Sequence, residues 1–214
     1  MITKKWAMLS LSAIPLLLAG CDSENLDNVQ DAAIETDRVK DETVETFNQL
    51  VTSEADLQSH FDETLDTDDE LTTLGDESSP IFENIASREE IVTALENKQS
   101  EFDEYQETLT SYEGELLDHE EVDAVNEAVS NFNTHLSSYL DEYKTSLVNQ
   151  RDYFTRLADD DATYEDFVEG IEKINVERET LSQSILEMDE ALVEIDGQLS
   201  TLHSSIDEQL SEEE

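Results

Sequence analysis

The sequence is poor in residues that cross-link chains, break helices or carry positive charge. It has one cysteine, which excludes a disulfide within the chain, and only two prolines and five glycines among 214 residues. This scarcity of helix breakers, with no segment that alternates at strand period, indicates an all-α fold. Eleven lysine and arginine residues stand against 56 aspartate and glutamate residues. That balance disfavours nucleic acid and anionic lipid as electrostatic partners.

The first twenty residues have the order of a secretory signal peptide. Lys4 and Lys5 form a short positive segment, and residues 6–18 form an apolar stretch interrupted only by serines and Pro15. This stretch is shorter than the roughly 20 residues that a membrane-spanning helix needs. Small residues follow it, as at a signal cleavage site. We therefore expect residues 1–20 to be removed.

The single cysteine stands directly after the apolar stretch. Leu18, Ala19, Gly20 and Cys21 resemble the lipobox of bacterial lipoproteins. The resemblance implies that the Cys21 thiol receives a diacylglyceryl group and that the signal is cut before it. Two acyl chains suffice for lasting membrane attachment, and no other cofactor and no metal is expected. The alternative is an ordinary signal peptide with a chance cysteine beside its cleavage site.

The chain that remains after cleavage is strongly acidic. The signal holds two of the 11 basic residues and no acidic one, so nine basic and 56 acidic residues remain, a net charge of −47. Such an excess is typical of halophilic proteins and indicates adaptation to salt rather than a binding site. We divide this chain into a lipidated tether at 21–25, a single helical domain at 26–210 and an acidic tail at 211–214.

Apolar residues recur in alternating steps of three and four, which is the spacing of a coiled coil. Stripes of this kind run over 85–116 and 122–157. The C-terminal stripe starts at Tyr164 and continues through Phe167, Ile171, Ile174, Leu181, Ile185, Met188, Leu192, Ile195, Leu199, Leu202 and Ile206. The first segment is less regular, with Leu26, Val29, Ala33, Val44, Phe47, Val51, Leu57, Phe61 and Leu65.

Breaks between the stripes fall at 74–80, 113–121 and 157–163. Gly75 and Pro80 make the first break firm, whereas Gly114 alone could lie inside a helix, so the second is weaker. The pattern predicts an elongated up-and-down helical bundle, or antiparallel coiled coil, of three to four long helices. A rod of this kind buries side chains along a seam, and we expect no deep pocket in it.

Three features of the sequence have both a structural and a binding interpretation. The six tyrosines could form a sugar-stacking platform, but their place on or beside the stripes favours burial at helix interfaces. Arg178 fills the one charged step of the last stripe, which indicates an ion pair that sets the register rather than a ligand contact. Asp159, Asp160 and Asp161 lack the glycine and distal glutamate of a calcium loop, so a solvated turn is favoured.

One tract has a more specific pattern. Residues 139–181 combine Tyr139, Tyr143 and Leu147 in a repeating step of four, an acidic turn that ends in Asp-Ala-Thr, and the motif Ile-Glu-Lys-Ile-Asn at 171–175. This tract resembles the YkyA-like cell-wall-binding lipoproteins of Gram-positive bacteria. The resemblance implies a surface lipoprotein that contacts the wall and has no known catalytic residues. Members of that family are rich in lysine, whereas this chain is not.

Motifs of catalysis are missing from the sequence. The four histidines are isolated, and no zinc-protease, phosphate-loop or nucleophile-elbow pattern is present. We therefore expect a protein without enzymatic activity. It would lie on the outer face of the cytoplasmic membrane and extend into the wall space, where it contacts wall polymer or a surface protein. The alternative function is an accessory or chaperone-like lipoprotein that binds a membrane-protein partner, and a wall-modifying enzyme is the third.

Overall fold

The computed structural model describes residues 19–212, with side chains described from residue 25 onward. Over that range every regular element is a helix and no strand is present, so the predicted all-α class is confirmed. The helices are α1 (Ala19–Ala55), α2 (Leu57–Thr67), α3 (Thr72–Gly75), α4 (Pro80–Thr110), α5 (His119–Arg156) and α6 (Tyr164–Glu212). Four of these helices, α1, α4, α5 and α6, are long, so the bundle has four long helices and not three.

The long helices begin where the sequence supplies capping groups. Ser79 accepts a hydrogen bond from the Ile81 amide, and Pro80 occupies the first turn of α4, where no amide donor is needed. Asp118 caps α5 by accepting from the Glu120 amide. At the start of α6, Thr163 and Asp166 each accept a hydrogen bond from the other's backbone amide, a reciprocal capping box.

The break between α4 and α5 is a true loop. The Leu117 amide donates to the Tyr112 hydroxyl at 2.9 Å, so the loop folds around that ring. A Cβ built on Gly114 would lie 2.6 Å from Tyr112, which is closer than side chains approach one another. A larger side chain at Gly114 would therefore force the Tyr112 ring to move.

The helices follow one another around a bundle. α1 packs on α4, α4 on α5, and α5 on α6, while α6 returns to α1. Two ion pairs fix the last contact, Lys40 with Asp196 and Arg178 with Glu54. Later residues of α1 meet earlier residues of α6, so these two helices are antiparallel. The predicted up-and-down arrangement is confirmed.

The predicted core positions of the first segment are partly wrong. Val44, Val51 and Leu65 are exposed by 40%, 49% and 44%. The buried stripe of α1 instead continues in steps of three and four through Leu26, Val29, Ala33, Thr36, Lys40, Thr43, Phe47 and Leu50.

This stripe could not be predicted from the apolar residues alone, because several of its positions are polar. Thr36 and Thr43 each donate their hydroxyl to the carbonyl four residues earlier, at 2.8 and 2.7 Å, so they lie in the core without an unpaired group. Lys40 covers the seam with its aliphatic stem, and its ammonium pairs with acidic residues at the edge. The prediction that Tyr164 belongs to the last stripe is also wrong, because its side chain is 81% exposed.

Candidate functional site

The predicted lipidation site lies at the edge of the described part of the chain. Leu18 and the rest of the signal peptide are outside the described residues, and so are the side chains of Ala19, Gly20 and Cys21. The backbone of residues 19–21 forms the start of α1. Lipidation of Cys21 and the boundaries at 21–25, 26–210 and 211–214 therefore stay predictions.

A cleft opens where the first helix ends. α1 stops at Ala55, and α2 packs on α4 instead of continuing along α6. The space left between α2, α5 and α6 measures about 550 Å³. This cleft contradicts the expectation of a rod without a deep pocket. The break at Asp56 that accompanies it has no signal in the sequence such as glycine or proline.

The N-terminal third of α6 forms one wall of this cleft. No residue of α6 between Tyr164 and Thr180 is buried, and Leu181 is the first that is. Phe167, Ile171 and Ile174 all belong to the predicted apolar stripe, yet they are only half-buried and line the cleft. The sequence thus provides an apolar surface here that the fold itself only partly covers.

Aromatic residues from three helices meet at the base of the apolar wall. The rings of Phe61 and Phe154 lie 5.5 Å apart between centroids, and those of Phe61 and Phe167 lie 6.1 Å apart. The rings of Phe61 and Phe167 are stacked at an interplanar angle of 21°, whereas those of Phe61 and Phe154 are tilted at 47°. Phe154 is 2% exposed and Phe61 is 9% exposed, so these two rings belong to the core.

A buried arginine lies behind the polar end of the cleft. Arg88 of α4 has no exposed surface, and it donates hydrogen bonds to Asn84 Oδ1 at 2.9 Å, Gln150 Oε1 at 2.7 Å and the Tyr143 hydroxyl at 3.4 Å. All three acceptors are neutral. Within residues 25–212 every other basic residue lies within 4.0 Å of a carboxylate. Sequence analysis missed Arg88, because a charged residue in a heptad pattern usually lies at the surface.

The buried charge is linked to the cleft through a tyrosine. The Tyr143 hydroxyl donates to Glu54 Oε2 at 3.3 Å, and Glu54 Oε1 lies 3.3 Å from Arg178 Nε. Burial raises the pKa of Tyr143 to about 12, with the Arg88 charge acting in the opposite direction. The phenol therefore stays protonated at neutral pH and can donate to Glu54. Glu54, Tyr143, Gln150 and Arg178 all line the cleft.

The predictions for the tyrosines and Arg178 have mixed outcomes. Tyr139 and Tyr143 are buried at helix interfaces, as expected, Tyr112 is buried in the loop between α4 and α5, and Tyr164 is exposed. Arg178 is ion-paired, as expected, but its side chain is 63% exposed, so it lies at the rim and not within the seam. Among the described residues there is no group of three acidic or histidine side chains placed to hold a metal ion. None of the described helices is long and apolar enough to span a membrane.

These features define an elongated, acidic helical bundle with a cleft between α2, α5 and α6 and no recognisable catalytic constellation in its described part. Residues 24–205 match the YkyA family, which is described as "Putative cell-wall binding lipoprotein". The match covers most of the chain, and the protein belongs to this family. The resemblance seen over residues 139–181 is thereby confirmed. No curated protein and no solved structure matches the chain.

Proposed function

We propose that this protein is a non-enzymatic lipoprotein that binds the cell wall. The observation that carries the proposal is the family match over residues 24–205, together with the lipobox at residues 18–21 that ends in Cys21. In this proposal a diacylglyceryl group on Cys21 anchors the chain to the outer face of the cytoplasmic membrane of a Gram-positive cell. The helical domain then extends into the wall space.

The length of the bundle supports a role at some distance from the membrane. α6 has 49 residues, and a helix of that length is about 73 Å long at about 1.5 Å per residue. A domain of this length can place one end well away from the bilayer while the other end stays near the lipid anchor. The cleft is formed by residues near the end of α1, on the order of 50 Å along that helix from Cys21.

Electrostatics limits how the domain can contact the wall. Wall polymers carry anionic phosphate and carboxylate groups, and this chain has a net charge of −47 after signal removal. Long-range attraction is therefore absent, and contact depends on short-range recognition or on divalent cations that bridge oxygen ligands on both sides. A halophilic environment, with its short screening length, would weaken the repulsion further.

A sedimentation assay with purified wall tests the proposal. The soluble domain from residue 22 onward should sediment with intact wall when millimolar magnesium is present, and most of this binding should disappear with chelator. Any fraction that still sediments with chelator is held by short-range recognition, which does not require a bridging cation. Failure to sediment under every condition would contradict wall binding and favour the alternative, an accessory lipoprotein that binds a membrane-protein partner.

A further inference from the structure

The cleft between α2, α5 and α6 has the dimensions of a ligand site. Its volume of about 550 Å³ lies within the range of about 300–1,000 Å³ that is usual for small-ligand clefts. Along α6 it runs from Phe167 to Leu181, which is roughly 21 Å of helix and matches about six residues of extended peptide.

The lining combines an apolar wall with hydrogen-bonding groups of both kinds. Ile171 and Ile174 offer half-buried alkyl surface. The side-chain amides of Gln58 and Asn175 are exposed at the cleft, and neither has a hydrogen-bond partner among the described residues. An amide group both donates and accepts, which is what the alternating N–H and C=O groups of a peptide backbone require.

One negative and one positive group stand at the polar end. Glu54 is held by the Tyr143 hydroxyl, and its side chain is 21% exposed, whereas Arg178 is 63% exposed. The glutamate is therefore the fixed member of the pair, and the arginine can swing away from it. When the two side chains separate, the Glu54 carboxylate can bind an ammonium group of a ligand, and the Arg178 guanidinium can bind a carboxylate of the ligand.

Other components of the wall fit this lining less well. A phosphate-rich polymer would meet a single exposed cation in the cleft on a chain of net charge −47. A glycan is usually bound by free aromatic faces, but here Phe61 and Phe154 are buried, and Phe167 is stacked on Phe61. Small alkyl side chains and amide groups suit the lining best.

From these observations we infer that the cleft binds a short peptide, namely the peptide component of the wall rather than its glycan or its polyanionic polymers. This inference rests on the proposed wall binding and specifies the part of the wall that is recognised. Apolar contacts with Ile171 and Ile174 hold the small side chains, the amides of Gln58 and Asn175 pair with the backbone, and Glu54 and Arg178 pair with charged groups.

Wall separated into its two components by an amidase provides the test. The released peptides and the remaining glycan strands are each titrated into ¹⁵N-labelled soluble domain, and amide shifts are followed by NMR. The peptides should shift resonances around residues 171–178 and 54–62, and the glycan strands should not. Peptides that shift no cleft resonance would overturn the inference, as would glycan strands that bind the cleft instead.

A matched pair of variants controls for nonspecific binding. Asn175→Trp places a large ring in the cleft at an exposed position and should weaken peptide binding by at least about tenfold. Ser200→Trp puts the same ring on an exposed position of α6, about 38 Å further along the helix, and should leave binding unchanged. Equal affinity of the two variants would contradict the inference. Sedimentation with intact wall in millimolar magnesium then shows which part of the account fails. If the two variants bind peptide equally but still sediment, wall binding stands and only the peptide site fails; if neither the variants nor the unaltered domain sediments, the proposed function fails as well.

Discussion

Arg88 on α4 donates its Nη2 group to Gln150 Oε1 on α5 at 2.7 Å, in a part of the bundle where Arg88 has no contact with solvent. A fully buried cation without a carboxylate beside it is costly unless neutral acceptors surround it. Asn84, Gln150 and Tyr143 supply these acceptors, and Tyr143 passes the interaction on to Glu54. The core therefore has a polar layer that links α4, α5 and the end of α1.

Removal of Gln150 from this layer should destabilise the bundle. Gln150→Leu leaves a buried guanidinium N–H without its acceptor, and a hydrogen bond to a charged group is worth about 1.5–3 kcal/mol. We expect the free energy of unfolding to fall by about 2 kcal/mol in urea denaturation. The double variant Arg88→Met/Gln150→Leu should cost about 1–3 kcal/mol less than the sum of the two single changes, because no unpaired charge remains. Strictly additive effects would show that the two side chains are not coupled.

Salt should stabilise the folded domain strongly. Nine basic residues cannot neutralise 56 acids, and compaction brings the unpaired carboxylates closer together. The Debye length falls from about 30 Å at about 0.01 M salt to about 3 Å at about 1 M, so repulsion is largely screened at the higher concentration. Thermal unfolding followed by circular dichroism should give a higher Tm in sodium chloride at about 1 M than at about 10 mM. Equal Tm values at the two salt concentrations would contradict the interpretation of the negative charge as a halophilic adaptation.

Stability at low salt should pass through a maximum on the acid side of neutrality. Protonation of carboxylates below about pH 6 first relieves repulsion. Further acidification has the opposite effect, because hydrogen bonds hold the pKa of some carboxyl groups below its ordinary range. Lys98 donates to Glu42 and Thr163 donates to Asp166, and these bonds lower the pKa of both acceptors. A carboxylate whose pKa is lower in the folded state contributes stability above its unfolded pKa and loses it as the pH falls through its folded pKa.

The expected Tm at low salt thus rises from about pH 7 toward about pH 5 and falls again below about pH 4. Thermal scans in matched buffers across this range would measure it, and scans in high salt serve as the control. In high salt the rise should be small, since the repulsion is already screened, whereas the loss at low pH should persist. A Tm that falls continuously from neutral pH at low salt would contradict this balance of effects.

The lipid anchor has a direct chemical test. Cys21→Ser keeps a small polar side chain but removes the thiol that forms the thioether. In cells grown with radiolabelled fatty acid, the unaltered protein should carry label and the variant should carry none. The variant should also accumulate as an uncleaved precursor or leave the membrane fraction. Normal processing and unchanged fractionation of the variant would rule out lipidation at Cys21.

Much of the fold could be predicted because local signals agree with the global arrangement. The apolar spacing gives helices, and the Thr163–Asp166 box marks the start of α6. The register of α1 could not be predicted, because its seam passes through Thr36, Lys40 and Thr43, which are counted as polar. Burial of these residues depends on the carbonyl and acidic partners that only the folded helix and its neighbours supply.

The cleft was even less accessible to sequence reasoning. Its existence depends on the interruption at Asp56 and on the packing of α2 against α4, both of which are tertiary effects. Phe167, Ile171 and Ile174 continue the apolar stripe of α6 without a break, so the sequence indicates burial where the structure leaves partial exposure. Arg88 and Gln150 are 62 positions apart, and nothing in their local sequence indicates that they meet.

Photo-crosslinking in living cells tests the central claim most directly. A benzoylphenylalanine introduced at Asp62 in the full-length, lipidated protein would lie at the exposed edge of the cleft, outside the residues proposed to contact the peptide, and react with whatever molecule occupies it; the same residue at Ser200 serves as the control. After irradiation and digestion of the wall glycan, mass spectrometry identifies the adduct. We predict an adduct with wall peptide at position 62 and none at position 200. An adduct with a membrane protein, and no wall adduct, would contradict the account.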